Sequence, residues 1–444
     1  MSPLEPGVVS QAAEMRSKAR AVFDHALAEC SIARAFAHNV RFAAGTLDIG
    51  GQAYELGRFS RVVAVSIGKA GHSLAAALAE VVPAKLEGVV SCPALPAAPV
   101  SGLHYFAGGH PMPNENSLRA GAAILELMRG LPKGVLVLFG ISGGASAIVE
   151  SPLDQDLTLS DIVATNRALV HSGAPIAEIN AIRKHLSAIK GGRTARAAFP
   201  ATQVSLLVSD VPDHALDALA SGPTMPDSTT VTDCYAIAER YDIVRHFPER
   251  VRAIFERRAL RETPKAGDQA FAKSHYFNLL SNHTAVQAAV ERAIALGFAV
   301  EVDNRCDDWD YARAADYLLG RLREMRKSTP RACLISGGEV TVKVGAKSGV
   351  GGRNQQFALH CAEKIAGETM TVLSAGTDGI DGNSPAAGAV VDGTTLSRAA
   401  EMGLDIARAL AEFDAFPFFE ALGDAIVTGP TGNNVRDLRV LLAY

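Results

Sequence analysis

Arg61-Val62-Val63-Ala64-Val65-Ser66-Ile67-Gly68-Lys69-Ala70-Gly71 decides the fold. Its middle is apolar without the alternation of a half-exposed strand, and it breaks at a glycine-bounded lysine before an alanine-rich helix. A strand apolar on both sides belongs in a parallel sheet covered by helices on both faces. The same grammar returns at Val135–Phe139, followed by Gly140-Ile141-Ser142-Gly143-Gly144 and a further helix. It returns again at Val204–Val208, which ends in Ser209-Asp210. Strands and helices alternating in this way predict an α/β protein.

Outward from these strands, residues 12–44 carry Val22, Phe23, Ala26 and Leu27 at helical spacing and predict one or two N-terminal helices. Residues 226–275 read as two charged helical stretches around a connector, Arg261-Glu262-Thr263-Pro264-Lys265-Ala266-Gly267-Asp268. A second alternation runs through Tyr276–Leu280, Phe298–Val302, Ala332–Ile335, Val340–Val344, Thr371–Leu373 and Val435–Leu442. The short step from Glu339 to Lys343 predicts that part of this second sheet is antiparallel. The expected architecture is a larger Rossmann-like parallel-sheet domain over 1–270 and a smaller mixed-sheet α/β domain over 271–444, with the active site in the cleft between them.

A chain of 444 residues suits two or three domains. Its formal charge of −4, from 43 Lys+Arg against 47 Asp+Glu, argues against a nucleic-acid or membrane-surface partner. The hydrophobic content of 48% and charged content of 20% exclude a largely disordered chain. Forty glycines with one tryptophan point to tight turns of the kind that close over small anions. The six cysteines (Cys30, Cys92, Cys234, Cys306, Cys333, Cys361) are scattered and read as reduced thiols of a cytoplasmic protein. Met1-Ser2-Pro3-Leu4-Glu5-Pro6 lacks the basic start and apolar core of a signal peptide, and no stretch is long enough to span a bilayer.

Ligands of open α/β sheets bind beyond the carboxyl ends of the strands, so the residues standing there carry the functional reading. They are Lys69 between Gly68 and Gly71, then Ser142-Gly143-Gly144-Ala145-Ser146, then Asp210. In the second half they are Ser336-Gly337-Gly338-Glu339, Gly351-Gly352-Arg353-Asn354 and Gly376-Thr377-Asp378-Gly379-Ile380-Asp381-Gly382. Glycine-rich turns that open helices offer free N–H groups to phosphate or carboxylate. Each has a plainer reading. The glycines also suit close helix–strand packing, Lys69 a solvated turn, Asp210 a helix cap, Arg353 a structural ion pair, and 376–382 a surface turn. Recurrence at most strand ends favours one charged cleft holding Lys69, Lys190, Arg193 and Arg353 among carboxylates. That equipment suits phosphoryl transfer, where catalysis is largely positioning and charge neutralisation. No GxxxxGK[ST] occurs, nor GxGxxG with its distal acid, nor a His-x-x-x-His pair for zinc.

Gly68-Lys69-Ala70, Gly109-His110-Pro111, Ser142-Gly143-Gly144-Ala145-Ser146-Ala147, Arg183–Arg193, Ser209-Asp210-Val211, Ala220-Ser221-Gly222-Pro223-Thr224, Ser336-Gly337-Gly338-Glu339, Gly351-Gly352-Arg353-Asn354-Gln355, Gly376–Gly382 and Asn434-Val435-Arg436-Asp437-Leu438 stand in this order. As a set, from about residue 15 to 444, they resemble the glycerate 2-kinase family, some of whose members bear the older label hydroxypyruvate reductase. The resemblance implies ATP- and Mg²⁺-dependent phosphorylation of D-glycerate at its 2-hydroxyl, in a cleft between an N-terminal α/β domain and a MOFRL-type C-terminal domain. Residues and resemblance together make Lys69, Asp210, Arg353 and Asp378 the expected catalytic groups, with Asp210 and Asp378 as Mg²⁺ ligands. Substrate or nucleotide contacts are expected from Ser66, Gly68, His110, Ser142, Gly143, Gly144, Ser146, Lys190, Arg193, Glu339, Asn354, Asp381 and Asn434. The sequence departs from the family pattern at Pro212-Asp213-His214 and at Asn383-Ser384-Pro385. The partners expected are D-glycerate and ATP, with no nucleic acid and no membrane; a homodimer is compatible with the sequence. The rival readings are an NAD(P)H-dependent hydroxypyruvate reductase and a non-catalytic small-acid-binding protein.

Overall fold

A computed structural model describes residues 6–345 and 348–444. The chain divides into two compact units: Ala35–Leu279, and the residues up to Arg34 together with Leu280–Tyr444. The division differs from the expected 1–270 and 271–444 in two places. The later break falls after Leu279, and the N-terminal helix belongs with the C-terminal half.

The unit Ala35–Leu279 begins with a small antiparallel sheet of β1 (Val40–Ala43), β2 (Thr46–Ile49) and β3 (Gln52–Glu55). Its main sheet contains β4 (Arg61–Ile67), β5 (Glu87–Cys92), β6 (Leu103–Ala107), β7 (Val135–Ser142), β8 (Thr202–Val208) and β9 (Ser274–Leu280), in the order β6-β5-β4-β7-β8-β9. The ladders β4/β5, β4/β7, β5/β6 and β7/β8 are parallel, as expected of strands apolar on both faces. Val63, Val65, Val137, Phe139 and Ile141 pack against Ile124 and Met128 of the helix Glu115–Met128. Each side chain so enclosed contributes roughly 1.5–3 kcal/mol, an upper figure because an unfolded chain already hides some apolar surface. The chain runs from β4 to β5 and β6 on one side, then returns to β7 and β8 on the other. The switch point, where such sheets bind ligands, therefore lies between β4 and β7. In that ladder Ile67 stands opposite Ile141, so the two strands end level.

The second unit holds β10 (Ala299–Val302), β11 (Ala332–Gly337), β12 (Met370–Gly376), β13 (Gly388–Asp392), β14 (Ala425–Ile426) and β15 (Asp437–Ala443), in the order β10-β11-β15-β12-β13-β14. Only β10/β11 is parallel among its ladders. The expected mixed sheet is present, but its antiparallel element differs from the prediction. Val340–Val344 forms no strand, because the chain turns away at Gly338 (φ 92°), and only Thr341 makes an isolated bridge, to Asp310. The antiparallel partner is β15, inserted between β11 and β12. Tyr276–Leu280 is the edge strand β9 of the other unit's sheet.

The helix Pro6–Glu29 places Met15, Ala19, Val22, Phe23 and Ala26 on one face, spaced by three and four residues. They pack with Val286 and Ala289 of the helix Asn282–Ala295 and with Leu373 and Val440 of the sheet. All six cysteines are unpaired and buried, and burial pushes thiols such as Cys30 up to about 12 and Cys306 up to about 11. Among the described residues no helix is long and apolar enough to cross a membrane.

Phe23, fully buried, is the largest side chain on the N-terminal helix's packed face. Phe23→Ala should lower stability by about 3–5 kcal/mol. Amide exchange should then quicken in β12 and β15 before β4 and β7. Equal loss of protection in all four strands would refute the assignment of this helix to the second unit.

Candidate active site

The level ends of β4 and β7 bring their two turns into hydrogen-bonding contact. The Lys69 N–H donates to the Gly143 carbonyl at 2.9 Å, and the Ala70 N–H donates to Ser142 Oγ at 3.0 Å. Ser142 Oγ itself donates to the Ile67 carbonyl at 3.3 Å, and the Gly68 N–H donates to Ser91 O at 3.0 Å. The Ser142 hydroxyl therefore joins the turns instead of facing a ligand. Lys69 is exposed and stands one residue before the N-cap Ala70 of the helix Gly71–Val81, so its ammonium adds to the positive end of that helix.

Two further groups reach the same turn. A Cβ on Gly143 would overlap the Asp210 carboxylate, so a side chain there would have to displace it. Gly144 has φ 80°, and a Cβ on it would lie 3.0 Å from His110 Cδ2 and 3.2 Å from Lys69 Cγ. Lys69, His110 and Asp210 thus gather round Gly143-Gly144. The exposed edge of His110 meets solvent, yet partial burial first and the Lys69 ammonium second hold its imidazole below the usual range. The helix expected after the turn is a single turn, Ala145–Ile148, too short for a strong dipole.

Most of the remaining predicted contacts of this unit have internal partners. Ser66 is fully enclosed in β4, its Oγ without a hydrogen-bond partner among the described residues, and does not face the turn. Lys190 is buried and paired with Glu150, which also accepts from Ser187 Oγ at 2.5 Å. Burial lowers its pKa against the pull of Glu150. Arg193 donates to the Arg261 carbonyl at 2.8 Å; burial first, then Arg196 and Arg261, hold its pKa to about 10. Ser146 Oγ lies 2.9 Å from Ser221 Oγ, a residue of a quoted block that the sequence reading did not assign. Asp213 and His214 are in the helical turn Asp213–Ser221, and their side chains lie outside the described residues.

In the second unit the charged groups at the strand ends engage one another. Arg353, first in the helix Arg353–Lys364, gives both arms of its fork to Asp437, with Nε to Oδ2 at 2.6 Å and Nη2 to Oδ1 at 3.0 Å. Nη2 also pairs with Glu339 at 2.7 Å. Burial alone would lower this guanidinium, but Asp437 first, then Glu339 and Asp381, hold it above the ordinary arginine range. The fork expected to clamp substrate is thus already engaged. Asp437 is the residue that the sequence reading missed, although it stands in the quoted Asn434–Leu438 block.

Asp381 is also enclosed. It accepts the backbone N–H groups of Asn354 and Gln355 at 3.1 and 2.8 Å, anchoring a helix N-terminus instead of meeting a ligand. Burial first, with repulsion from Asp437, pushes its carboxyl up to about 6 despite those donors. Asn354 is buried and accepts from Ser374 Oγ at 2.6 Å, and Asn434 accepts the Arg436 N–H at 2.9 Å within its own loop. Asp378 is half-buried and accepts the Ile380 N–H at 3.1 Å. Its Oδ1 and Asp437 Oδ1 lie 3.2 and 3.3 Å from the point where a Cβ on Gly376 would stand.

Among the described residues no three His, Cys, Asp or Glu side chains form a metal cage. Mg²⁺ in phosphoryl-transfer sites takes one or two carboxylates and fills its octahedron with water and phosphate oxygens. Asp210 against a glycine turn fits that limited demand.

An exposed lysine, an imidazole and a carboxylate at the switch point of an α/β unit suit a small anionic ligand. Residues 18–256 match the family described as a domain of unknown function, DUF4147, and residues 332–437 match the MOFRL family. A D-glycerate 2-kinase of Thermotoga maritima is 38% identical over 389 residues, 85% of this chain and 89% of that protein. A protein of Agrobacterium vitis named "Putative hydroxypyruvate reductase" is 40% identical over 392 residues, 86% of this chain and 87% of that protein. The crystal structure of the Thermotoga maritima glycerate kinase aligns with a TM-score of 0.85 at 33% identity, covering 97% of this chain and 100% of that one. This chain belongs to the glycerate 2-kinase family.

The burial of Lys190 supports a structural role that can be separated from ligand binding. Glu150→Gln should destabilise the fold by about 3–5 kcal/mol by leaving a buried ammonium without its carboxylate. Glu150→Gln combined with Lys190→Met should recover most of that in a thermal melt. A Lys190→Met protein with normal melting and a raised KM for ATP would instead assign Lys190 to the nucleotide.

Proposed function

We infer that this chain transfers the γ-phosphoryl group of ATP to the 2-hydroxyl of D-glycerate, giving 2-phospho-D-glycerate and ADP. The observation that carries this reading is the exposed Lys69 ammonium beside Gly143-Gly144 and Asp210, in a chain of the glycerate 2-kinase family. Phosphoryl transfer asks the protein mainly to position its reactants and to neutralise charge on the transferred group. Lys69 supplies a point charge for the phosphoryl oxygens or the glycerate carboxylate, and the backbone at Gly143-Gly144 allows close approach. Asp210 would hold Mg²⁺ with phosphate oxygens, an ion that neutralises charge on the phosphates. Asp378 is the carboxylate of the second unit that we assign to substrate or metal. Arg353, its fork engaged by Asp437, acts as a positioning residue that fixes the carboxylates around it. The buried free thiols support a cytoplasmic location.

Purified protein should release ADP with ATP, Mg²⁺ and D-glycerate, and should leave NADH unoxidised with hydroxypyruvate. NADH oxidation without ADP release would establish the reductase, and neither activity would leave a binding protein. Lys69→Ala should lower kcat/KM by roughly 10²–10⁴-fold, the loss expected on removing one preorganised charge. Its thermal midpoint should stay near that of the parent, because an exposed lysine adds little to stability. Early melting with near-normal activity would assign Lys69 to the fold.

A further inference from the structure

Phosphorylating an alcohol releases the hydroxyl proton, and the phosphotransfer reading leaves its acceptor unassigned. Most carboxylates near the strand ends already have other partners. Glu150 pairs with Lys190, Asp437 and Glu339 pair with Arg353, and Asp381 accepts two backbone N–H groups at a helix start. Asp378 accepts from its own turn, and Asp210 is the oxygen donor assigned to Mg²⁺.

His110 differs. It is exposed, it stands beside Lys69, and its Nε2 lies 3.3 Å from the Cβ position of Gly144. A ring nitrogen there is beside the turn assigned to the transferring group and one residue from the glycine that the Asp210 carboxylate abuts. We propose that the His110 imidazole is a catalytic residue that accepts the proton of the D-glycerate 2-hydroxyl. In the step, the hydroxyl O–H bond breaks and its proton passes to the imidazole. The freed oxygen forms a bond to the γ-phosphorus as the bond from that phosphorus to the β–γ bridging oxygen breaks, and ADP leaves with that electron pair. The imidazolium then returns its proton to water.

The electrostatics support this role. Partial burial first and the facing Lys69 ammonium second lower the His110 pKa from the ordinary 6.5, so the ring is neutral and able to accept at pH 7. A base works when deprotonated, so activity is lost as pH falls through an ionisation below 6.5. Lys69 thereby has two functions, attracting the anion and keeping its neighbour neutral.

The proposal rests on the phosphotransfer reading, and one pH series of ADP release separates the two. Wild-type kcat should fall on the acid side. His110→Gln should lose about 10²–10⁴-fold in kcat, keep KM for both substrates within a few-fold, melt normally and show no acid limb. Added imidazole should restore part of the activity to His110→Gly. A wild type that releases no ADP overturns the phosphotransfer reading and the base with it. An active wild type whose His110→Gln variant keeps most of its kcat, or keeps the acid limb, overturns the base alone.

Discussion

The parallel register of β4 and β7 is the constraint on which the chemistry of the first unit depends. Because Ile67 stands opposite Ile141, the two strands stop at the same level and their turns meet. Ser142 Oγ can then accept from Ala70 N–H while Lys69 N–H donates to Gly143 O. A one-residue slip would reverse every side chain and separate these partners. With β8 next in order, Asp210 emerges beside the turn that β7 makes. Three adjacent strands thus deliver a cation, a glycine turn and a carboxylate to one place, and the loop after β6 adds His110.

Buried charge is paired in both units. In the second, Asp437 sits between Arg353 and the fully buried Arg439, Arg436 pairs with Asp307, and Arg439 donates to Gly338 O at 3.1 Å. Ions out of water require such partners, and removing one leaves its neighbour at a cost of several kcal/mol. These pairs fix the ends of β11, β12 and β15. In the first unit, Lys184 and Lys190 are similarly paired, with Asp217 and Asp227 and with Glu150. Lys69 makes no ion pair among the described residues.

The sequence discloses the strands well because a strand buried on both faces is a continuous apolar run that ends at glycine, as at Ile67-Gly68 and Ser142-Gly143. It also places Lys69 and Asp210 just beyond strand ends, where the structure has them beside one turn. It does not disclose direction. Lys190, Asp381 and Arg353 stand in motifs that read the same whether the side chain faces a ligand or an internal partner. Only the three-dimensional positions of Glu150, the 354–355 amides and Asp437 decide between these. The N-terminal helix and Tyr276–Leu280 reveal their type from periodicity, but not which sheet they join, because both can bury the same apolar face against either one. Val340–Val344 has strand composition, but the turn at Gly338 removes it from the ladder that β15 fills.

An exposed ammonium that makes no ion pair among the described residues, next to a helix start and an imidazole, suits an anionic partner. The helix end is positive, Lys69 adds to it, and any protonation of His110 would add more. Lys184 and Lys190, which are buried, sit with carboxylates, whereas Lys69 is exposed. On the reading proposed above, a bound anion would supply Lys69 with the partner that it lacks among the described residues. Ligand binding should therefore stabilise the folded state by RT ln(1 + [L]/Kd), about 2.7 kcal/mol at a hundredfold excess over Kd. The same electrostatics restrict the ligand. A neutral polyol gains nothing from the ammonium, whereas a carboxylate or phosphate replaces the missing partner. On the reading proposed above, selectivity for an acid over an alcohol of the same size would rest on Lys69, which makes no ion pair among the described residues.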